Sequence, residues 1–161
     1  MKTLQEYCRI GLEILQEIVS NESFLSEEPE VLENMDHDIK INYDKILSDQ
    51  LVTQFKLKTG LKVLSEENLV THDYNDQMLW VIDPLDGSYN YLKGFPFYAI
   101  SIALVDRNKP LIGIVYDIPS SNTYYAIRGY GAFCNGENLE KPKKLSKSDS
   151  IVMTGIPSYL S

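Results

Sequence analysis

Four acidic side chains, Asp49, Glu66, Asp83 and Asp86, invite a joint reading with the string Asp83-Pro84-Leu85-Asp86-Gly87-Ser88. Asp83 and Asp86 follow the apolar run Leu79 to Ile82. A buried strand end is a rigid support for side chains that must hold precise geometry. Pro84 fixes one backbone angle between the two acids, which helps both carboxylates turn toward one point. The Leu85 carbonyl between them adds another hard oxygen. An all-oxygen set of this kind suits Mg²⁺, or Mn²⁺, better than zinc, which prefers nitrogen and sulfur. Gly87 permits close backbone approach to a ligand. If a short helix starts there, its free N–H groups would face a phosphate. The Ser88 hydroxyl could orient a water, and Asp49, folded nearby, would accept its proton. Two metals bridged by such carboxylates would activate that water. Phosphoryl transfer needs little beyond this positioning and charge neutralisation. Taken alone, the same string also describes an Asp-Pro turn followed by a glycine corner. Glu66-Glu67 alone also describes a solvated loop.

The surrounding elements must position these groups. Leu4, Tyr7, Cys8, Gly11, Ile14, Leu15 and Ile18 recur at helical spacing, which predicts an amphipathic helix to about Val19. Asn21 to Asp38 is acidic with few apolar anchors and reads as a loop. Asp49 to Lys58 reads as a second helix with Leu51, Val52 and Phe55 buried and Gly60 ending it. Leu61 to Leu64 suits a strand that delivers Glu66 and Glu67 to its carboxyl end. Leu79 to Ile82 is a strand that stops at Asp83-Pro84, because proline cannot continue a ladder. Ala99 to Val105 and Leu111 to Tyr116 read as a β-hairpin, and Thr123 to Ile127 as a further strand. Arg128 to Gly136 is glycine-rich and turn-like, and Ile151 to Thr154 reads as one more strand. The expected class is α+β: N-terminal helices packed on a mainly antiparallel sheet, without regular βαβ alternation.

Composition narrows the function classes. The 161 residues suffice for one domain with a sizeable core. An apolar fraction of 43% with 24% charged residues reads as soluble and globular. The net charge of -8 and the lack of a basic patch speak against nucleic acid as a partner. Cys8 and Cys134 have no zinc spacing and read as small core residues in a reducing compartment. Met1 to Ser20 lacks the apolar stretch of a signal peptide, and no later segment could span a bilayer. A cytoplasmic protein without a membrane partner is the expectation.

Trp80-Val81-Ile82-Asp83-Pro84-Leu85-Asp86-Gly87-Ser88-Tyr89-Asn90-Tyr91 resembles the W-x-I-D-P-[IL]-D-G-[TS]-x-N-[FY] signature of the inositol monophosphatase family. The similarity continues at Gly94-Phe95-Pro96-Phe97, Gly113-Ile114-Val115-Tyr116 and Gly129-Tyr130-Gly131-Ala132-Phe133-Cys134-Asn135-Gly136. Leu64-Ser65-Glu66-Glu67 resembles the family's strand-end G-E-E, with serine in place of glycine. The resemblance spans about residues 40 to 160. It implies the N-terminal part of the layered inositol monophosphatase/fructose bisphosphatase-like fold. It also implies Mg²⁺-dependent hydrolysis of a small phosphorylated polyol or sugar. By position, Glu66, Asp83 and Asp86 would be metal ligands, joined by the Leu85 carbonyl. Gly87 and Ser88 would bind phosphate through backbone N–H groups. Asp49 matches the family's acidic partner of the hydroxyl, with Asp44 as the competing choice. Glu66, Ser88 and Asp49 would then be the catalytic set. The family's second half carries a W-D-x-A-A-G-like motif, but the only tryptophan here is Trp80. The resemblance therefore implies a single N-terminal region over 1–161, either a fragment, the favoured reading, or a truncated relative with an incomplete site. Relatives are commonly homodimers, which makes a second copy an expected partner.

Rival phosphatase chemistries lack their residues. No arginine follows Cys134 closely, as cysteine phosphatases require. The acids are separated by two residues rather than the one of D-x-D, and no G-x-x-x-x-G-K-[ST] loop is present. His37 and His72 sit in polar surroundings and read as exposed. Tyr89-Asn90-Tyr91 is nearer the inositol-phosphate and fructose-bisphosphate branches than the nucleotide-bisphosphatase branch; inositol monophosphate is the expected substrate, with fructose 1,6-bisphosphate, a dual specificity or a catalytically incomplete metal-binding fragment as the alternatives.

Overall fold

A computed structural model describes residues 2–21, 30–35, 38–65, 78–107 and 109–140. The first helix, α1 (Leu4–Val19), matches its expected span. Its start is set by a capping box: Thr3 Oγ accepts from the Glu6 N–H at 3.2 Å, and Glu6 Oε2 accepts from the Thr3 N–H at 2.6 Å. Tyr7, Cys8, Ile10, Ile14, Leu15 and Ile18 form its buried stripe. Gly11 lies in that stripe because a Cβ there would meet Ile114 Cδ1 at 2.9 Å. A side chain there would have to displace the Ile114 methyl, so glycine eases the close approach of helix to sheet.

A two-stranded antiparallel hairpin follows, β1 (Val31–Met35) and β2 (Asp38–Ile41). The loop expected over Asn21 to Asp38 is thus partly strand, and residues 22–29 lie outside the described set. Asn42 closes the hairpin: its N–H donates to the Glu30 carbonyl at 2.9 Å, and its Oδ1 accepts from the Glu30 N–H at 3.1 Å. Helix α2 (Asn42–Thr59) starts at this residue, seven positions before the expected Asp49. It ends before Gly60, whose φ of +72° suits glycine.

The main sheet has seven strands in sequential order: β3 (Lys62–Ser65), β4 (Leu79–Asp86), β5 (Ala99–Asp106), β6 (Lys109–Asp117), β7 (Asn122–Ile127), β8 (Gly131–Cys134) and β9 (Glu137–Asn138). Among the described strands of this sheet, only β3 and β4 run parallel and every other pair is antiparallel. The stretch from Arg128 to Gly136, expected as turns, contains β8 between two turns. The expected strand over Ile151 to Thr154 lies outside the described residues, as do His37 and His72.

Register explains the core. Trp80, Leu104, Ile112 and Ile127 stand opposite one another across β4 to β7, and Ile82, Ile102, Ile114 and Tyr125 form the neighbouring row. Strand periodicity puts both rows on one face. That face meets the helices, α2 over β3 and β4 and α1 over β6 and β7. Phe55 of α2 packs edge-on against Trp80 with ring centroids 4.7 Å apart, and Tyr7 of α1 does so at 6.4 Å. Trp80 and Phe55 are fully buried. No described helix is long and apolar enough to cross a membrane.

Candidate active site

The strand β4 does not stop at Pro84 but passes through it to Asp86. Proline cannot donate to a ladder, and a β-bulge removes the need. Asp83 pairs with Ser101 and Asp86 with Ala99, so three steps along β4 match two along β5. The extra residue has a consequence for side-chain direction. In a regular strand, residues three apart face opposite sides. Ser101 and Ala99 are two apart on β5, so the bulge returns Asp83 and Asp86 to one side of the sheet.

The chain then turns sharply. Gly87 adopts φ +92°, ψ +34° and caps a short helix, α3 (Ser88–Leu92). A Cβ on Gly87 would lie 2.6 Å from the Phe97 carbonyl oxygen, which also accepts from Asn90 Nδ2 at 2.8 Å. Backbone conformation and backbone contact both demand glycine here. On α3, Tyr91 packs edge-on against Tyr43 and Tyr98, with centroids 5.7 and 5.1 Å away. Burial, then its two tyrosine neighbours, push the Tyr91 hydroxyl up to about 12.

Ser88 Oγ donates to Asp44 Oδ1 at 2.8 Å and lies 2.8 Å from the Leu85 carbonyl, which shares the same proton. The acidic partner of Ser88 is therefore Asp44, not the expected Asp49. Helix geometry supplies the reason. Asp44 stands on the buried face of α2 with Ser48, Leu51, Phe55 and Thr59. Asp49 is five residues on, about 140° further round the helix. It is exposed and lines a shallow groove of about 420 Å³ between α1 and α2 with Glu17, Ile18 and Gln50. The earlier start of α2 was the missed feature. Asp44 and Ser48 continue the spacing of Leu51, Val52 and Phe55, but as polar residues they carry no hydrophobic signal.

Glu66 lies outside the described residues. Its predecessor Ser65 ends β3 and pairs with Ile82, the residue before Asp83, in the parallel ladder. Among the described residues, no group of three or more His, Cys, Asp or Glu side chains is placed to hold a metal. The donors gathered at this turn are the carboxylates of Asp83 and Asp86 and the carbonyl of Leu85. All are hard oxygens, without nitrogen or sulfur, and this chemistry fits Mg²⁺. A carbonyl has two lone pairs, so the Ser88 contact leaves Leu85 one for a cation. Neither cysteine joins the site. Cys8 is buried under α1, and burial raises its thiol from 9.0 to about 11.

The sequence profile of the inositol monophosphatase family matches residues 1–159. The chain belongs to the inositol monophosphatase family. It is 30% identical to inositol monophosphatase 1 of Bos taurus over 150 residues, 91% of this chain and 52% of that protein. It is 35% identical to fructose-1,6-bisphosphatase of Pyrococcus furiosus over 108 residues, 67% of this chain and 42% of that protein. The crystal structure of an IMPase/NADP phosphatase complexed with Mg²⁺ and phosphate superposes with a TM-score of 0.78 at 32% identity, covering 89% of this chain and 56% of that one. The chain thus spans about half the length of the curated relatives it matches. The α+β class expected from the sequence is the fold of this family.

Proposed function

We propose that the protein hydrolyses a phosphate monoester on a small polyol or sugar, with inositol monophosphate as the preferred substrate, in a Mg²⁺-dependent reaction. The Ser88–Asp44 hydrogen bond beside Asp83 and Asp86 carries this reading. A hydroxyl whose proton is directed at the Asp44 carboxylate and the Leu85 carbonyl keeps its oxygen lone pairs for a water, and so can orient it. Asp44 is the acceptor for the proton that passes through Ser88 Oγ as that water attacks. Asp83, Asp86, Glu66 and the Leu85 carbonyl would hold the cations. When bound, two such cations supply a water of lowered pKa and charge neutralisation at the phosphate and the leaving oxygen. The backbone N–H groups of Gly87 and Ser88 serve the phosphate oxygens, and the αL turn at Gly87 lets the backbone come close. Mn²⁺ has the same donor preference and should substitute. The single N-terminal region seen in the sequence supplies this half of the site, and a second copy of the chain remains the proposed partner.

Fructose 1,6-bisphosphate is the second reading, supported by the 35% identity to the Pyrococcus furiosus enzyme. Phosphate release from inositol monophosphate, fructose 1,6-bisphosphate and adenosine 3′,5′-bisphosphate, with Mg²⁺ and with chelator, tests both. Turnover should require Mg²⁺ and rank inositol monophosphate first. Turnover indifferent to chelation would overturn the metal-dependent reading, and a fructose preference would exchange the two substrates.

A further inference from the structure

Toward its N-terminus the buried face of α2 carries two polar residues, Asp44 and Ser48, beside the apolar Tyr43 and Leu47. Leu51 and Phe55 in its middle are fully buried and apolar. One turn toward the N-terminus from Val52 is Ser48, 1% exposed, whose Oγ lies 2.7 Å from Ser65 Oγ, also 1% exposed. One turn further is Asp44, the acceptor of the Ser88 hydroxyl. Two hydroxyls have been taken out of water where two alanines would carry no such cost. The bond between them offsets that desolvation and adds little net stability.

The pair offers direction instead. Apolar packing such as Phe55 on Trp80 is non-directional and tolerates a small slide of helix over sheet. A hydrogen bond is sensitive to both distance and angle. Ser65 ends β3 in register with Ile82, and Asp83 follows directly. The Ser48–Ser65 bond therefore ties the helix that carries Asp44 to the strand pair that carries Asp83. Serine at position 65 also stands where the family signature has glycine, so this chain has a tether at a position where a glycine could form none.

We propose that the Ser48–Ser65 hydroxyl pair is a positioning clamp that sets the height of Asp44 against Ser88. The inference deepens the proposed function and rests on its assignment of Asp44. Neither serine touches substrate or cation; both act through Asp44.

The test is a double-mutant cycle with a stability control. Ser48→Ala and Ser65→Ala should each lower kcat about tenfold with KM unchanged, as expected for a small misplacement of a catalytic group. The Ser48→Ala/Ser65→Ala double variant should be no worse than either single. Ser48→Ala should cost nothing further once Asp44→Asn is present. Hydrogen exchange gives a readout free of turnover: the Tyr91 amide, bonded to the Gly87 carbonyl at 3.0 Å, should exchange faster in Ser48→Ala. Val52→Ala, a core change on the same helix, should lower the unfolding midpoint while leaving kcat and that exchange rate unchanged. If the serine variants behave like Val52→Ala, or if their effects add to that of Asp44→Asn, the clamp is refuted. If Asp44→Asn alone leaves kcat intact, the catalytic reading of Asp44 falls first, a distinct outcome that removes the clamp's purpose with it.

Discussion

The difference between Asp44 and Asp49 is one of helical phase. Only Asp44 reaches Ser88, at 2.8 Å, while Asp49 faces outward. Asp44→Asn keeps the shape but removes the proton acceptor, and should lower turnover by about 100-fold or more, the scale of general acid–base groups. Asp49→Asn should stay within about twofold, since exposed substitutions away from a site rarely matter. Steady-state kinetics of the two variants side by side checks the assignment. Gly87 is a second residue-scale constraint. Gly87→Ala sets a Cβ 2.6 Å from the Phe97 carbonyl and asks alanine to hold φ +92°. The substitution should destabilise the protein by about 1–3 kcal/mol and abolish turnover, measured by thermal unfolding and phosphate release. At this scale the sequence singled out one short string, and the structure places it at the end of β4 and the start of α3. Asp83, Leu85, Asp86, Gly87 and Ser88 form one contiguous string whose chemistry needs no tertiary information. Asp44 was harder, because a residue 44 positions away from Ser88 is located only by folding.

Elements show where pattern reading worked and where it stopped. Helix α1 was readable, with its end at about Val19, because its buried stripe carries no charged residue. The first two turns of α2 were not, because buried Asp44 and Ser48 alternate with buried Tyr43 and Leu47 and so blur the apolar stripe that marks a helix face. Pro84 misled for a related reason. The rule that proline ends a ladder holds for a regular strand, and the bulge between Asp83 and Asp86 supplies the exception. The hairpin β1–β2 gave little signal, since β1 shows no alternation and the Asp38-Ile39-Lys40-Ile41 alternation of β2 is only four residues long. Cys8 on α1 yields a prediction at this scale. Its folded-state value is raised from 9.0 to about 11 by burial, so the folded state holds the proton longer than the unfolded chain does. The stability from burying the neutral thiol is fully present below pH 9 and is lost as pH rises through about 11. The unfolding midpoint should therefore hold steady up to about pH 9 and then fall, and Cys8→Ala should flatten the part of that fall between about 9 and 11. A thermal unfolding series against pH reads both curves.

At the scale of the whole molecule, layering brings distant parts of the chain to one place. The helices α1 and α2 cover one face of the sheet, and Asp44 leaves that helical layer at the point where β4 ends in the turn of α3. Charge adds a further argument. A chain with a net charge of -8 repels a phosphate ester, and two aspartates at the proposed phosphate position sharpen the repulsion. Only a bound cation reverses the local sign, which makes metal dependence an electrostatic requirement of the proposal. The layered class was legible from element order, because helices preceding a run of short strands leave few other packings. The hairpin of β5 and β6 was legible too, but the parallel β3–β4 pair was not, since its two strands are joined by a connection rather than a tight turn. The most direct test of the account is phosphate release from inositol monophosphate against Mg²⁺ concentration, for the protein and its Asp83→Asn variant. The account predicts saturable dependence on Mg²⁺ and a loss of at least about 100-fold in the variant, because losing a charged ligand removes several kcal/mol of transition-state stabilisation. Undiminished turnover by Asp83→Asn at the same Mg²⁺ concentration would contradict it.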